Sequence, residues 1–210
     1  MATIQELETY YDIVNHRNAI SILEHGNASE FMELINAFTT FRLETSDIIA
    51  GGGNESTIPK MFSDLLRPHG WKETRISGDL LLKLTTKRPN AKGVDEERRT
   101  IEQFLDGHKI DYVKNRVAFD LEWNSKDQTF DRDLYAFAAF YQANIIDVAV
   151  LVTRSEKLNE VFKSLGEIKK YGASTTWMGK LAYRINANRS GGCPVLALGI
   201  TPKLIKDWNP

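Results

Sequence analysis

Residues 116–123 alternate between large apolar side chains and side chains that are polar or small. Every second position carries a large apolar side chain: Val117, Phe119, Leu121 and Trp123. The positions between them carry Ala118, Asp120 and Glu122. A period of two is typical of a β-strand, because successive side chains point to opposite faces. We therefore predict a strand that presents Asp120 and Glu122 on one polar face and packs its other face on a core.

A tight turn is predicted immediately before this strand, at Lys114-Asn115-Arg116. Such a turn folds residues 110–113 back alongside the strand. Asp111 would then lie near Asp120, and the carboxylates of Asp111, Asp120 and Glu122 would converge.

Converging carboxylates repel one another, which raises the pKa of at least one of them and destabilises the fold. A bound Mg²⁺ offsets this repulsion by its positive charge. Mg²⁺ also prefers oxygen ligands and often binds phosphate oxygens as well. Such an ion can also activate a water molecule for attack on a phosphodiester. The alternative is a solvated hairpin whose outer face is simply acidic, and the spacing of the acids is compatible with both.

The rest of the chain mixes helical and strand patterns, which predicts an α/β domain with buried central strands. The predicted helices cover residues 28–42, 59–66, 95–106, 131–144, 155–170 and 174–186, and the predicted strands cover residues 80–84, 145–152 and 195–200. In the helix at 131–144, the stripe of Tyr135, Phe137, Phe140 and Tyr141 suits a core, and part of it suits a dimer face.

The length of 210 residues and the hydrophobic content of 42% suit one sizeable core, so we expect a single domain over residues 1–210. No apolar run is long enough to span a membrane, and the N-terminus lacks a signal-like segment, so a cytoplasmic location is expected. The single cysteine, Cys193, suits a small core position. The four histidines have no metal-ligand spacing, which argues against a zinc site.

The net charge of -1 does not suggest a nucleic-acid partner, but the charges are segregated along the chain. Residues 154–206 contain ten basic side chains (Arg154, Lys157, Lys163, Lys169, Lys170, Lys180, Arg184, Arg189, Lys203 and Lys206) and three acidic ones (Glu156, Glu160 and Glu167). This half of the chain could face phosphates, although a solvated surface would have the same composition. A glycine-rich stretch at residues 51–56 suits either a plain linker or a surface loop that orders on DNA.

The acidic residues also resemble a known motif. Asp111, followed nine residues later by Asp120-Leu121-Glu122, resembles the PD-(D/E)XK nuclease core, in the variant of the type II restriction endonucleases of the BglII, BstYI and BamHI kind. Most of that superfamily has lysine at the last position, whereas BamHI-like enzymes have glutamate, as here. Ile110 replaces the proline of the motif. Segments 69–75, 111–118 and 194–200 resemble these enzymes in the same order, and about two thirds of the chain is covered.

The resemblance implies a mixed central β-sheet flanked by helices and a Mg²⁺-dependent endonuclease that cuts double-stranded DNA. It implies that Asp111 and Asp120 bind the metal, helped by the backbone carbonyl of Leu121. Glu122 would bind metal or position and deprotonate the attacking water. A second PD-(D/E)XK activity, in DNA repair or junction cleavage, and a non-catalytic DNA-binding module remain as alternatives.

In the resembling enzymes, the residues just past the acid pair enter the major groove, which makes Asn124, Ser125 and Lys126 candidates for DNA contact. An ordinary turn before the next helix is the alternative. A second loop, Ser174-Thr175-Thr176, corresponds to one that faces DNA, although these hydroxyls could equally cap the helix that follows.

The resemblance also implies the partners. A short palindromic site, with a central GATC as the first expectation, is matched by a homodimer with two-fold symmetry. A cognate DNA methyltransferase would protect the host DNA.

Overall fold

A computed structural model describes residues 4–50, 57–87, 89 and 93–209. Within these residues the strands are β1 (Tyr11–His16), β2 (Lys72–Thr86), β3 (Asp95–Lys114), β4 (Val117–Glu122), β5 (Val148–Arg154) and β6 (Val195–Ile200). The helices are α1 (Ile4–Tyr10), α2 (Ala19–Gly26), α3 (Ala28–Thr40), α4 (Thr45–Ile49), α5 (Thr57–Leu66), α6 (Thr129–Gln142), α7 (Leu158–Ser164) and α8 (Met178–Asn186). Short 3₁₀ helices span Arg67–His69 and Pro202–Leu204.

The strands form one six-stranded sheet in the order β1-β6-β5-β4-β3-β2. At its centre, β4, β5 and β6 are parallel, whereas β3 is antiparallel to β4 and β1 is antiparallel to β6. A parallel pair needs a crossover connection, and α6 provides the one between β4 and β5. The predicted mixed sheet flanked by helices is therefore confirmed.

The core lies on both faces of the central strands. On one face, alternate residues of β4 and β5 pack on an aromatic cluster that includes Phe38, Phe62 and Phe119. On the other face, α6 contacts β4 and α8 contacts β6. All seven residues of β5 are buried, as expected for a central parallel strand covered on both sides.

The predicted helix at residues 95–106 is wrong, because these residues belong to the long strand β3. Ile101, Phe104 and Leu105 have the spacing of a helical face, but the segment does not form a helix. The segment instead lies beside β2 in the sheet, and Lys83 of β2 forms a 2.7 Å ion pair with Glu96 of β3. Strand pairing has thus overridden the local pattern. The short strand predicted at residues 80–84 lies inside β2.

Two further predictions concern segments near the sheet. The helix predicted over residues 155–170 is much shorter, since α7 ends at Ser164 and Gly166 has a φ of 75° that a right-handed helix does not allow. The glycine-rich stretch at residues 51–56 lies outside the described residues.

The chain divides into two compact units, one of residues 1–74 and 110–210 and one of residues 75–109. The larger unit contains the aromatic cluster and the parallel strands, and the smaller one contains most of β2 and β3. A single domain over residues 1–210 stays a prediction. None of the described helices is long and apolar enough to cross a membrane.

We expect Phe119→Ala to lower the free energy of unfolding by about 3 to 5 kcal/mol, because it opens a cavity in the aromatic cluster. The Phe119 ring is fully buried, with ring centroids of Tyr112 and Phe38 at 5.1 and 5.6 Å. Urea unfolding measures the change. The control Leu81→Ala alters a residue that is 66% exposed, and it should change stability by less than about 0.5 kcal/mol. Equal losses in the two variants would contradict this view of the core.

Candidate active site

Strand β4 carries its acidic side chains on the face opposite the aromatic cluster. Phe119 packs into that cluster. Because successive side chains of a strand lie on opposite faces, Asp120 and Glu122 lie on the other face, towards α6. Both acids are nearly buried, with 6% and 7% of their surface exposed. This polar pair is unusual on a central strand, since buried carboxylates are rare unless they are paired or bind a metal.

The turn between β3 and β4 sets the position of Asp111. It consists of Asn115 and Arg116, and Asn115 has a φ of 48°, a left-handed conformation that asparagine tolerates better than most residues. Arg116 holds the turn through two hydrogen bonds of 2.6 and 2.8 Å to the carboxylate of Asp147. This bidentate pair joins the start of β4 to the segment before β5.

The resulting register places Asp111 beside Asp120. The backbone N–H of Asp111 donates a 3.0 Å hydrogen bond to Oδ1 of Asp120. Asp111 is exposed whereas Asp120 is buried, so the acidic site opens to solvent on the side of β3. Asp111 and Glu122 thus lie near enough to Asp120 to raise its pKa, while the catalytic roles of the three acids stay predictions.

A fourth acid, Asp133, reaches the same site from α6. It is only 2% exposed. Arg132 donates to Asp133 Oδ1 from Nε at 3.1 Å and from a terminal nitrogen at 3.0 Å, and that nitrogen also lies 3.3 Å from Glu122 Oε1. Asp111, Asp120, Glu122 and Asp133 are called the acid cluster below.

Burial and repulsion between charges raise the pKa of two members of the acid cluster, Asp120 and Asp133. Burial raises the pKa of Asp120 well above its usual range, and the negative charges of Asp133, Asp111 and Glu122 raise it further. Burial also raises the pKa of Asp133 to about 8, with Glu122 as the next cause. Arg132 acts in the opposite direction on Asp133 but does not cancel these effects. The positive charge of Arg132 therefore does not balance the effect of burial and of the neighbouring carboxylates on Asp133.

The acid cluster suits a divalent cation in its chemistry. Oε2 of Glu122 and Oδ2 of Asp133 are buried without a hydrogen-bond partner, and buried oxygens of this kind call for a donor or a cation. As they stand, no three His, Cys, Asp or Glu side chains among the described residues are arranged to hold a metal ion. The donor types fit the metal, but metal binding would require the carboxylates to move closer together.

The end of β4 is held by its neighbours. The backbone carbonyl of Glu122 accepts hydrogen bonds from the hydroxyls of Thr153 on β5 at 2.7 Å and of Thr176 at 3.2 Å. Beyond β4, Lys126 forms an isolated antiparallel bridge with Thr175. The backbone of one loop thus pairs with the backbone of the other, and both loops are anchored beside Glu122.

The six residues predicted to contact DNA therefore lie in two adjoining loops, but their exposure differs. Lys126 and Ser174 are exposed. Thr176 is fully buried, and its hydroxyl donates a hydrogen bond to the backbone carbonyl of Glu122. Asn124 donates to the backbone carbonyl of Lys170 at 3.3 Å. Ser125 is half-buried and accepts a backbone hydrogen bond from Thr176. Contact with DNA stays a prediction for all six.

The alternative role of the second loop, as the cap of a helix, is wrong. Helix α8 begins at Met178, and its N-cap residue is Trp177, without a side-chain cap. Thr175 instead accepts a hydrogen bond from Arg154, a buried arginine at the end of β5 that also donates to the backbone carbonyl of Tyr171 at 3.3 Å. Pairing with the other loop and with Arg154 thus keeps these threonines out of the helix.

The basic half of the chain is partly neutralised by its own ion pairs. Lys180 pairs with Asp127 at 2.8 Å, and Arg184 pairs with Asp131 at 3.1 Å. Lys163, Lys169 and Lys203 are exposed and form no ion pair with another described residue. The surplus charge available to phosphates is therefore smaller than the sequence count suggests.

The sequence alone does not single out Asp133 or Arg132, because both lie in the predicted helix over residues 131–144 and outside the motif that contains the other acids. Helix α6 begins at Thr129, so Asp133 lies inside it. A signal was present in the spacing of Phe130, Asp133, Leu134 and Phe137, which puts an acid on the buried face of an amphipathic helix. A buried acid on that face is a candidate for function.

A mixed sheet flanked by helices, with carboxylates gathered between a hairpin and a crossover helix, is consistent with the fold of the restriction-endonuclease class. The model of one family, described as restriction endonuclease BglII/BglIII, matches residues 11–200, and the chain belongs to this family. The protein is therefore a restriction endonuclease, a site-specific deoxyribonuclease that binds double-stranded DNA. Such enzymes generally depend on a divalent metal. A search of curated proteins finds no match to the chain.

We expect the metal-free protein to lose stability as the pH rises from about 4 to about 8, because the pKa of Asp133 is raised to about 8 in the folded state. A raised pKa means that the folded protein binds the proton more tightly than the unfolded chain. The stabilising contribution of Asp133 is therefore fully present below about pH 4, decreases as the pH rises and is lost once the pH has passed about 8.

Thermal unfolding in EDTA at pH 5 to 9 measures this, with Asp133→Asn as the comparison. The melting temperature of the wild type should fall more steeply than that of Asp133→Asn. Parallel curves for the two proteins would contradict the raised pKa.

Proposed function

We propose that Asp111, Asp120 and Glu122 form a Mg²⁺ site for the hydrolysis of DNA phosphodiesters. Asp111, Asp120 and the backbone carbonyl of Leu121 would hold the ion. The observation that carries this proposal is the hydrogen bond from the Asp111 N–H to Asp120, which sets the exposed acid beside the buried ones. The unpartnered oxygens of Glu122 and Asp133 support it, since a cation would supply the partner that these buried oxygens lack.

The protein groups have separate tasks in this proposal. When bound, Mg²⁺ lowers the pKa of a water molecule and polarises the phosphoryl group. Asp111, on the open side of the site, meets the substrate, while Asp120 stays fixed against the sheet. Glu122 either binds the ion or accepts the proton of the attacking water. Its backbone is held by Thr153 and Thr176, so the side chain extends from a rigid strand.

We expect Asp120→Asn to reduce cleavage of double-stranded DNA by at least about 1,000-fold, because the amide cannot replace a buried carboxylate ligand. The fold should persist, since the side chains are nearly equal in size and the N–H of Asp111 still finds an acceptor. Initial rates in Mg²⁺ measure the effect.

The matched control for this variant is Asp131→Asn, an acid of the same helix as Asp133 that pairs with Arg184 and Arg189 away from the acid cluster. It should keep most of the activity. Cleavage at the wild-type rate by pure Asp120→Asn protein would refute the assignment of the site.

The two loops at the end of β4 are proposed as the surface that contacts DNA. Asn124, Ser125 and Lys126 belong to the first loop, and Ser174, Thr175 and Thr176 belong to the second. The backbone bridge between Lys126 and Thr175 joins the two loops into one continuous surface. This supports the proposal that both loops contact DNA together. Amide and lysine side chains at this surface are suited to base edges or phosphates.

We expect Lys126→Ala to weaken DNA binding and to lower the slope of log K against log salt by about 0.9, the value for one lost phosphate contact. Fluorescence anisotropy in Ca²⁺ at several salt concentrations measures both quantities. Lys163→Ala is the control, since Lys163 is an exposed lysine of α7 outside the two loops. Equal slopes for the two variants would rule out a phosphate contact by Lys126.

The symmetry of a palindromic site requires a symmetric protein, so the enzyme is proposed to act as a homodimer. Exposed Tyr135 and Tyr141 of α6 would be part of the contact between the two subunits, and sedimentation equilibrium tests the mass.

A central GATC is the proposed recognition sequence, and sequencing the ends of a digested DNA library tests it. A cognate methyltransferase and a cytoplasmic location complete the proposal, testable by co-expression and by fractionation.

A further inference from the structure

Arg132 bridges two members of the acid cluster. One terminal nitrogen of its guanidinium lies 3.0 Å from Asp133 Oδ1 and 3.3 Å from Glu122 Oε1. The two carboxylates are almost buried, with side-chain exposures of 3% and 10%, whereas the side chain of Arg132 is 67% exposed. The charge thus approaches the cluster from solvent, while its partners stay inside.

The electrostatics connect Arg132 to three of the four acids. Partial burial acts to lower the pKa of Arg132, but Asp133, Glu122 and Asp120 together outweigh burial and raise that pKa. Two of these three carboxylates, Asp120 and Glu122, belong to the proposed metal site. A divalent cation at that place would be repelled by Arg132.

We infer that Arg132 is the counter-ion of the acid cluster in the metal-free protein, and that a divalent metal ion displaces it from Glu122. This inference rests on the proposed Mg²⁺ site. Oε1 of Glu122 and Oδ1 of Asp133 both accept hydrogen bonds from the guanidinium, so neither oxygen is free for a metal ion while Arg132 stays in place. Because Arg132 is exposed, it can leave Glu122 without burying its charge elsewhere.

If Arg132 has this role, its removal should increase the affinity of the protein for a divalent ion, which the loss of a merely structural ion pair would not do. Removing the guanidinium removes a competitor for the metal, so Arg132→Gln should bind a divalent ion more tightly than the wild type. Arg132→Lys keeps the positive charge and should bind the ion with nearly the wild-type affinity. Asp133→Asn removes a negative charge from the same place, and it should bind the ion more weakly.

The matched control is Arg189→Gln. Arg189 pairs with Asp131 on the same helix, and Asp131 is not among the charges that shift the pKa of Asp120. This variant removes an arginine from an α6 carboxylate without touching the acid cluster. Its affinity for the metal should equal that of the wild type.

The experiment is a titration of the full-length protein with Mn²⁺, in which electron paramagnetic resonance reports the free ion. We expect the Kd of Arg132→Gln to be about 3- to 10-fold lower than that of the wild type at low salt. The difference should shrink as salt is raised, because exposed charges are screened. Thermal melting of each variant confirms that it is folded.

The outcomes separate the inference from the proposed function. If Asp120→Asn abolishes Mn²⁺ binding while folded Arg132→Gln binds with an unchanged or higher Kd, the counter-ion role is overturned and the metal site stands. If wild type and Asp120→Asn bind Mn²⁺ equally or not at all, the metal site fails and the counter-ion role fails with it. Tighter binding by Arg132→Gln but not by Arg189→Gln supports the inference.

Discussion

Repulsion among the carboxylates of the acid cluster destabilises the fold, and the contacts around the cluster offset this destabilisation. Asp120, Glu122 and Asp133 are nearly buried, where a charged group is much less stable than in water. A fold organised for stability alone would place apolar residues at these positions. The protein instead keeps the acids and holds them with rigid elements, as expected where chemistry requires negative charge.

Three kinds of contact support this unfavourable arrangement. The opposite face of β4 packs on aromatic rings, so the strand that carries the acids is fixed by the core. The pair of Arg116 and Asp147 fixes the turn, and with it the place of Asp111. The hydroxyls of Thr153 and Thr176 hold the far end of β4. A single short strand thus connects the core, the acid cluster and the loops proposed to meet DNA.

Much of this arrangement was predictable from local patterns. Alternation along β4 predicted the strand and its polar face, and the turn at Asn115 predicted the return of the chain towards Asp120, because both signals come from a few neighbouring residues. The likeness to BglII-like enzymes rests on the same stretch and on segments 69–75 and 194–200, and the family match over residues 11–200 confirms it.

Features that depend on distant partners were not predictable in this way. Residues 95–106 have the spacing of a helix, yet pairing with β2 makes them a strand. Thr175 and Thr176 look like helix caps, yet they bond to Arg154 and Glu122. Asp133 joins the cluster only because α6 packs across β4. In each case a tertiary contact outweighs a local preference.

The central claim is that the acid cluster holds the catalytic metal. Anomalous diffraction from crystals grown with Mn²⁺ and a DNA duplex tests it most directly, since the signal locates the ion without any assumption about its ligands. The account predicts a peak within about 2.0 to 2.3 Å of carboxylate oxygens of Asp111 and Asp120 and of the carbonyl oxygen of Leu121. An ion bound to the DNA or to other side chains, with Asp120 uncoordinated, would contradict it.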